Sequence, residues 1–116
     1  MKKRIMIIED DQGILDVMKS ILDIHGYDVA LQSAIPSGKT INNPPDLFIL
    51  DLWLGRSDGR KICRLLKKGE KTKHIPIMLV SAVTGLSKYA QDCGADDFLE
   101  KPFEIKDLVS KVKKLL

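Results

Sequence analysis

Four short apolar runs, each followed closely by a chemically active residue, constrain this chain more than any other feature. Arg4-Ile8 stops at Glu9-Asp10, with Asp11 behind them. Leu47-Leu50 stops at Asp51, Ile77-Val80 at Ser81, and Phe98-Leu99 runs on to Lys101. A short continuous apolar run is the pattern of a strand buried on both faces. Between the runs, apolar residues recur at helical spacing: Ile14, Leu15, Met18, Ile21 and Leu22; then Ile62, Leu65 and Leu66; then Ile105, Leu108, Val109, Val112 and Leu116. Strands alternating with helices imply an α/β fold with parallel strands and right-handed crossovers. Five such units predict a flavodoxin-like, doubly wound parallel sheet in the order 2-1-3-4-5.

The same reading extends along the whole chain. Asp10 or Asp11 can cap the first helix, and Gly26 ends it. Tyr27-Leu31 alternates weakly and makes a short second strand. Ser33–Asn43 is expected to hold one or two helical turns at most, because Pro36 and Gly38 interrupt it and Asn42-Asn43-Pro44-Pro45 closes it. Gly55 through Gly59 reads as a loop. The third helix runs to about Lys68, and Pro76 is tolerated at the start of the strand Ile75–Val80. A short fourth helix covers about Ser87–Cys93, with Gly94 as its stop. The 116 residues are enough for one domain, residues 1–116, with its own core.

Apolar residues are 44% and charged residues 30%, an ordinary globular balance. The formal charge of +3 is too mild to imply nucleic-acid binding. Arg60, Lys61, Arg64, Lys67, Lys68, Lys71, Lys73 and His74 form a basic stretch, but no aromatic residues interleave with them, so a solvated helix face is expected. No apolar run has membrane-spanning length. The basic start Met1-Lys2-Lys3-Arg4 precedes too short an apolar run for a signal peptide. Cys63 and Cys93 lack metal-type spacing and read as reduced thiols of a cytoplasmic protein. Asp107 and Lys111 are spaced to support the last helix.

In an open parallel sheet the strand C-terminal ends share one edge, and here the switch point lies between strands 1 and 3. These end at Glu9-Asp10 and Asp51, so carboxylates converge there and repel one another. A hard cation relieves that repulsion. Mg²⁺ takes oxygen ligands, keeps several waters, and uses one or two carboxylates beside phosphate oxygens. Glu9 can hold one such water. Helix capping accounts for Asp10 or Asp11, but not for Asp51 at the end of an apolar strand. Asp51 is the candidate nucleophile, because a carboxylate can accept a phosphoryl group as an acyl phosphate. Such a transfer relies on positioning and charge neutralisation. Lys101 supplies a positive charge and Ser81 a hydroxyl donor, with backbone N–H groups near Trp53 and Ala82 available. Singly, a surface lysine and a strand-end serine are ordinary; together with the acids they are not.

The segments Ile7-Ile8-Glu9-Asp10-Asp11, Pro45 to Leu52, Ile75 to Ala82 and Gly94 to Phe103 resemble the response-regulator receiver domain of two-component signalling, across the whole chain. The resemblance implies a phosphorylation-dependent switch, and a sensor histidine kinase or phosphotransfer protein that donates phosphoryl to Asp51. It implies Mg²⁺ held by Asp10, Asp51 and the backbone carbonyl of Trp53, with Glu9 acting through water. It implies that Ser81 and Lys101 contact the phosphoryl group, that Ser81 moves toward it, and that Phe98 turns inward. The surface of the fourth helix, fifth strand and fifth helix then changes its affinity for an output partner, an effector domain or a second copy of the chain. The Lys101-Pro102 bond is expected to be cis.

Several positions depart from the family pattern. Gly55 stands where Pro is usual, the second and fourth helices are short, and Phe98 replaces the commoner Tyr. Trp53 and Val83 flank the site where the family tunes hydrolysis, and their apolar bulk predicts a relatively long-lived phosphoryl state. Three other readings compete. An aspartyl-phosphate phosphatase needs a second acid two residues after its nucleophile, where this chain has Trp53. A flavin carrier needs a Gly/Ser/Thr-rich loop after the first strand, where Glu9-Asp10-Asp11-Gln12 repels phosphate. A non-phosphorylated interaction module keeps the fold without the chemistry.

Overall fold

The computed structural model describes residues 2–32, 44–54 and 57–116. The helix expected over Ser33–Asn43 and the loop residue Gly55 lie outside the described residues. The elements are β1 (Arg4–Ile8), α1 (Gln12–Ile24), β2 (Asp28–Gln32), β3 (Leu47–Leu50), β4 (Trp53–Leu54), β5 (Ser57–Asp58), α2 (Gly59–Lys68), β6 (Ile77–Ser81), α3 (Leu86–Cys93), β7 (Asp97–Glu100) and α4 (Ile105–Leu115). Five strands form one parallel sheet in the order β2-β1-β3-β6-β7, the expected 2-1-3-4-5. The expected strands and the short helix before Gly94 fall within two residues of their observed bounds.

The unbroken apolar runs are explained by two cores, one on each face of the sheet. Side chains alternate across a strand, so β1 sends Ile5 and Ile7 to one face and Met6 and Ile8 to the other. β3 divides Leu47 and Ile49 from Phe48 and Leu50, and β6 divides Met78 and Val80 from Ile77 and Leu79. The first face packs under α1 through Leu15, Met18, Ile21 and Leu22, and under α4 through Leu108, Val109 and Val112. The second packs under α2 through Cys63 and Leu66, and under α3 through Leu86, Ala90 and Cys93. Removing one of these buried aliphatic side chains costs ~2–5 kcal/mol.

Asp11 is the residue that caps α1, its Oδ1 accepting from the Ile14 N–H at 3.1 Å. Gly26 follows the helix at φ +89°, and Gly94 closes α3 at φ +83°, both left-handed positions that favour glycine.

The structure corrects four sequence expectations. Leu65 is 69% exposed, because Cys63 and Leu66 carry the sheet-facing side of α2 and Leu65 points away from it. Ile105 is 57% exposed, since α4 begins there at the sheet edge and buries its face only from Leu108 onward. The span read as a loop from Gly55 to Gly59 contains β5, which pairs antiparallel with β4, and Gly59 already belongs to α2. Lys111 donates to Asp97 on β7 at 3.0 Å, tying α4 to the sheet rather than to the next turn of its own helix.

Candidate functional site

β1 and β3 are adjacent in the sheet, and their ends bring the acids together. The ladder runs one step past each strand: the Asp51 N–H donates to the Ile8 carbonyl at 3.1 Å, and the Glu9 N–H to the Gln32 carbonyl at 3.0 Å. Glu9, Asp10 and Asp51 each present a carboxylate oxygen within 4.8 Å of the others. Glu9 is 2% exposed and Asp51 8%, while Asp10 is exposed. The opening thus has an accessible acid at its rim and two buried acids behind it.

Lys101 closes the cluster. Its Nζ lies 3.2 Å from Glu9 Oε2 and 3.3 Å from Asp51 Oδ2. It is placed there by its own backbone N–H, which donates to the Ser81 carbonyl at 2.9 Å. The peptide bond from Lys101 to Pro102 is cis, as expected. Ser81 is 2% exposed at the end of β6, and its Oγ accepts from the Val83 N–H at 3.4 Å. The sequence-predicted residues Glu9, Asp10, Asp51 and Lys101 therefore form one contiguous group, and Ser81 is tied to it through the Lys101 backbone. Trp53 begins β4, two residues beyond Asp51.

The electrostatics follow from this crowding. Burial, then the hydrogen bond and charge of Asp51, push the Glu9 carboxyl up to about 7, with Lys101 acting in the opposite direction. Its second oxygen accepts from the Asp11 N–H at 3.2 Å. Oxygen donors in this number and charge suit a hard divalent cation, which takes carboxylates, carbonyls and water. They do not suit a thiophilic metal.

Phe98 lies on β7 with its ring half-buried against the second core. The Lys111 ammonium lies 5.4 Å from its ring centroid, a cation–π contact that holds α4 beside β7. Val83 is also partly buried against that core.

Gly59 was not legible as a site residue. A Cβ there would lie 2.1 Å from the Asp51 carbonyl oxygen and 2.7 Å from Leu52 Cα. Its own N–H donates to the Leu52 carbonyl at 2.6 Å. The start of α2 is thus pressed against the backbone that carries Asp51. The only sequence cue was a glycine directly after Ser57-Asp58.

Comparison with known proteins gives one consistent answer. The sequence profile of the response regulator receiver domain matches residues 5–113. The DNA-binding dual master transcriptional regulator RpaA of Synechocystis is 38% identical over 119 aligned positions, covering 97% of this chain and 48% of that protein. The chain spans about half the length of the curated relatives it matches. The receiver domain protein of Methanospirillum hungatei has a TM-score of 0.86 at 29% identity, covering 98% of this chain and 93% of that one. The receiver domain of a histidine kinase from Syntrophus aciditrophicus has a TM-score of 0.81 at 30% identity, covering 98% and 89%. A profile match over nearly the full length, on a sheet of the same order with the acids at its switch point, means that this chain belongs to the response regulator receiver domain family.

Proposed function

We propose that this domain is a phosphorylation-dependent switch in which Asp51 accepts a phosphoryl group from a sensor histidine kinase or phosphotransfer protein. The observation that carries the reading is the Glu9, Asp10 and Asp51 cluster facing the Lys101 ammonium. Asp51 is held by its N–H on the end of the central strand β3, so its carboxylate has a fixed position from which to attack phosphorus. The bond to the donor nitrogen breaks as the bond to Asp51 forms. Lys101 receives the negative charge of the phosphoryl oxygens, and Ser81 offers its hydroxyl as a further donor.

Asp10, Asp51 and the Trp53 carbonyl would hold Mg²⁺, with Glu9 reaching it through water. When bound, the cation neutralises charge on the acids and the phosphoryl oxygens. Ser81 and Phe98 then relay the change, Ser81 toward the phosphoryl group and Phe98 inward. Inward movement of Phe98 leaves Lys111 without its ring partner and so alters the surface of α3, β7 and α4. That surface is the proposed contact for an output partner, an effector domain or a second copy. The domain is a signalling component rather than a turnover enzyme, and its place of action is the cytoplasm.

The test is incubation with a small-molecule phosphoryl donor and Mg²⁺, followed by intact mass. One phosphoryl group is gained by the wild type and none by Asp51→Asn. Absence of any adduct on wild-type protein across several donors overturns the reading and leaves an inert interaction module.

A further inference from the structure

Both cysteines are on the same core face, in different helices. Cys63 lies on α2, fully buried, and Cys93 is the last residue of α3, 3% exposed. The Cys63 thiol donates to the Cys93 carbonyl at 3.4 Å, so the Cys63 sulfur lies against the residue that carries the second thiol. They were expected to be reduced core thiols, and both are free. Their direct contact across two helices is what spacing in sequence did not reveal.

The pair is chemically unequal. The hydrogen bond from Cys63 holds the Cys93 thiol down to about 7, against its burial, with the Ala95 N–H assisting. The Cys63 thiol is pushed up by that same contact and by burial. Thiolates are the nucleophiles toward oxidants, so oxidation begins at whichever of the two sulfurs loses its proton. Cys93 stands at the end of α3, beside the left-handed Gly94.

We propose that Cys63 and Cys93 form an oxidisable pair that closes to a disulfide in the presence of a hydroperoxide and staples α3 to α2. One sulfur of the pair, as its thiolate, attacks the O–O bond and becomes a sulfenic acid, releasing an alcohol or water after the leaving oxygen takes a proton. The second sulfur then displaces the hydroxyl, which leaves as water with that thiol's proton. Each sulfur loses one electron and the peroxide gains two. Bond formation at ~2 Å requires the helix pair to close until the two sulfurs meet. α2 and α3 are already joined by Arg60 stacked over the Tyr89 ring at 5.2 Å. A covalent tie there limits movement of α3, one of the elements assigned above to the output surface. This last consequence rests on the proposed function; the disulfide does not.

Native protein treated with hydrogen peroxide should lose both of its free thiols. Peptide mapping without reductant should join the segments containing Cys63 and Cys93, and reductant should restore them. Cys63→Ser and Cys93→Ser should each abolish the link. If either variant fails to fold, mapping of the wild type still decides. Thiols that stay free, or a Cys93 that gains oxygen with no crosslink, overturn the proposal. Hydrogen exchange with a phosphoryl donor and Mg²⁺ tests the consequence: the phosphorylation-linked change over residues 86–100 should be several-fold smaller in the oxidised protein. An equal change refutes the restriction. Failure of the reduced protein to take up phosphoryl refutes the proposed function and leaves the crosslink result standing.

Discussion

Replacing Gly59 by alanine tests the idea that α2 is pressed against the strand end that carries Asp51. A Cβ at residue 59 would stand 2.1 Å from the Asp51 carbonyl oxygen, with Leu52 Cα at 2.7 Å and the Leu52 oxygen at 2.9 Å. A relaxed carbon–oxygen contact is about 3.3 Å, so something must move by roughly 1 Å. All three neighbours are backbone, and both Asp51 and Leu52 are buried, so no flexible side chain can absorb the shift. Overpacking of this kind costs ~1–3 kcal/mol, and sometimes more where the backbone itself must shift. With a urea dependence of ~1–3 kcal/mol per molar, the unfolding midpoint should fall by about 1–2 M. Gly13→Ala is the matched control. Its Cβ meets only Asp11 Oδ1 at 3.3 Å, a side-chain atom. There the helix preference of alanine over glycine, ~1 kcal/mol, should leave the midpoint unchanged or raised. The same substitution thus lowers the midpoint at one position and does not lower it at the other. Equal midpoints for Gly59→Ala and wild type in urea unfolding followed by circular dichroism would refute the reasoning. A folded Gly59→Ala protein should also take up less phosphoryl, because Asp51 moves relative to Lys101.

Two further perturbations follow from the site and the core. The Glu9 carboxyl is raised from 4.5 to about 7, so the folded state holds this proton more tightly than the unfolded state. The stability it contributes is fully present below 4.5 and is lost as pH rises through about 7; in the presence of a chelator, urea midpoints should fall across that window, and Glu9→Gln should flatten the fall. A Glu9→Gln profile that falls as steeply as the wild type would assign the effect elsewhere. Asp96 Oδ2 accepts from the Ile77 N–H at 2.8 Å and from Lys67 Nζ at 2.7 Å. Asp96→Ala leaves the first N–H of β6 without this partner and should cost ~1–3 kcal/mol. Lys67→Met removes a partly exposed ion pair and a donor to the Ile75 carbonyl at 2.9 Å, and leaves the Asp96 bond to Ile77 in place, so it should cost less, ~1 kcal/mol; a reversed order in chemical denaturation would sink this assignment.

The sheet and most of the site were legible because each rests on a local signal. A strand buried on both faces must be apolar at every position, so Ile5–Ile8 and Leu47–Leu50 stand out without knowledge of their neighbours. A charged residue that stops such a run marks the strand end, and the fold rule puts these ends on one edge. Helix faces were less legible. Ile62, Leu65 and Leu66 all fit a helical stripe, and nothing local decides which side meets the sheet; Cys63 and Leu66 do. Ile105 fits the stripe of α4 but lies before the helix reaches the core. Contacts between elements were not legible at all. Lys111 could pair along its helix or across to Asp97, and only tertiary distance selects Asp97. The same holds for Gly59 against Asp51 and for the meeting of the two thiols.

The position of Lys101 explains why the site can be stable before any ligand arrives and still favour one. Among the described residues, three carboxylates around the Lys101 ammonium leave an excess of two negative charges when all are ionised. One divalent cation balances that excess. Lys101 nonetheless sits at 3.2 and 3.3 Å from the two buried acids, close enough to both that neither is left as an uncompensated buried charge. In the proposed phosphorylated state, the phosphoryl oxygens on Asp51 would extend the negative charge outward from the position Lys101 already faces. The ammonium can exchange one partner for another with little movement, because its backbone stays fixed to the Ser81 carbonyl. Substituting Lys101→Met should therefore act twice: it takes away the ammonium that faces both Glu9 and Asp51, and it removes the proposed donor for the phosphoryl oxygens. Mg²⁺ should recover much of the lost stability and little of the lost response. Full recovery of both by the cation would show that Lys101 serves only to separate the acids.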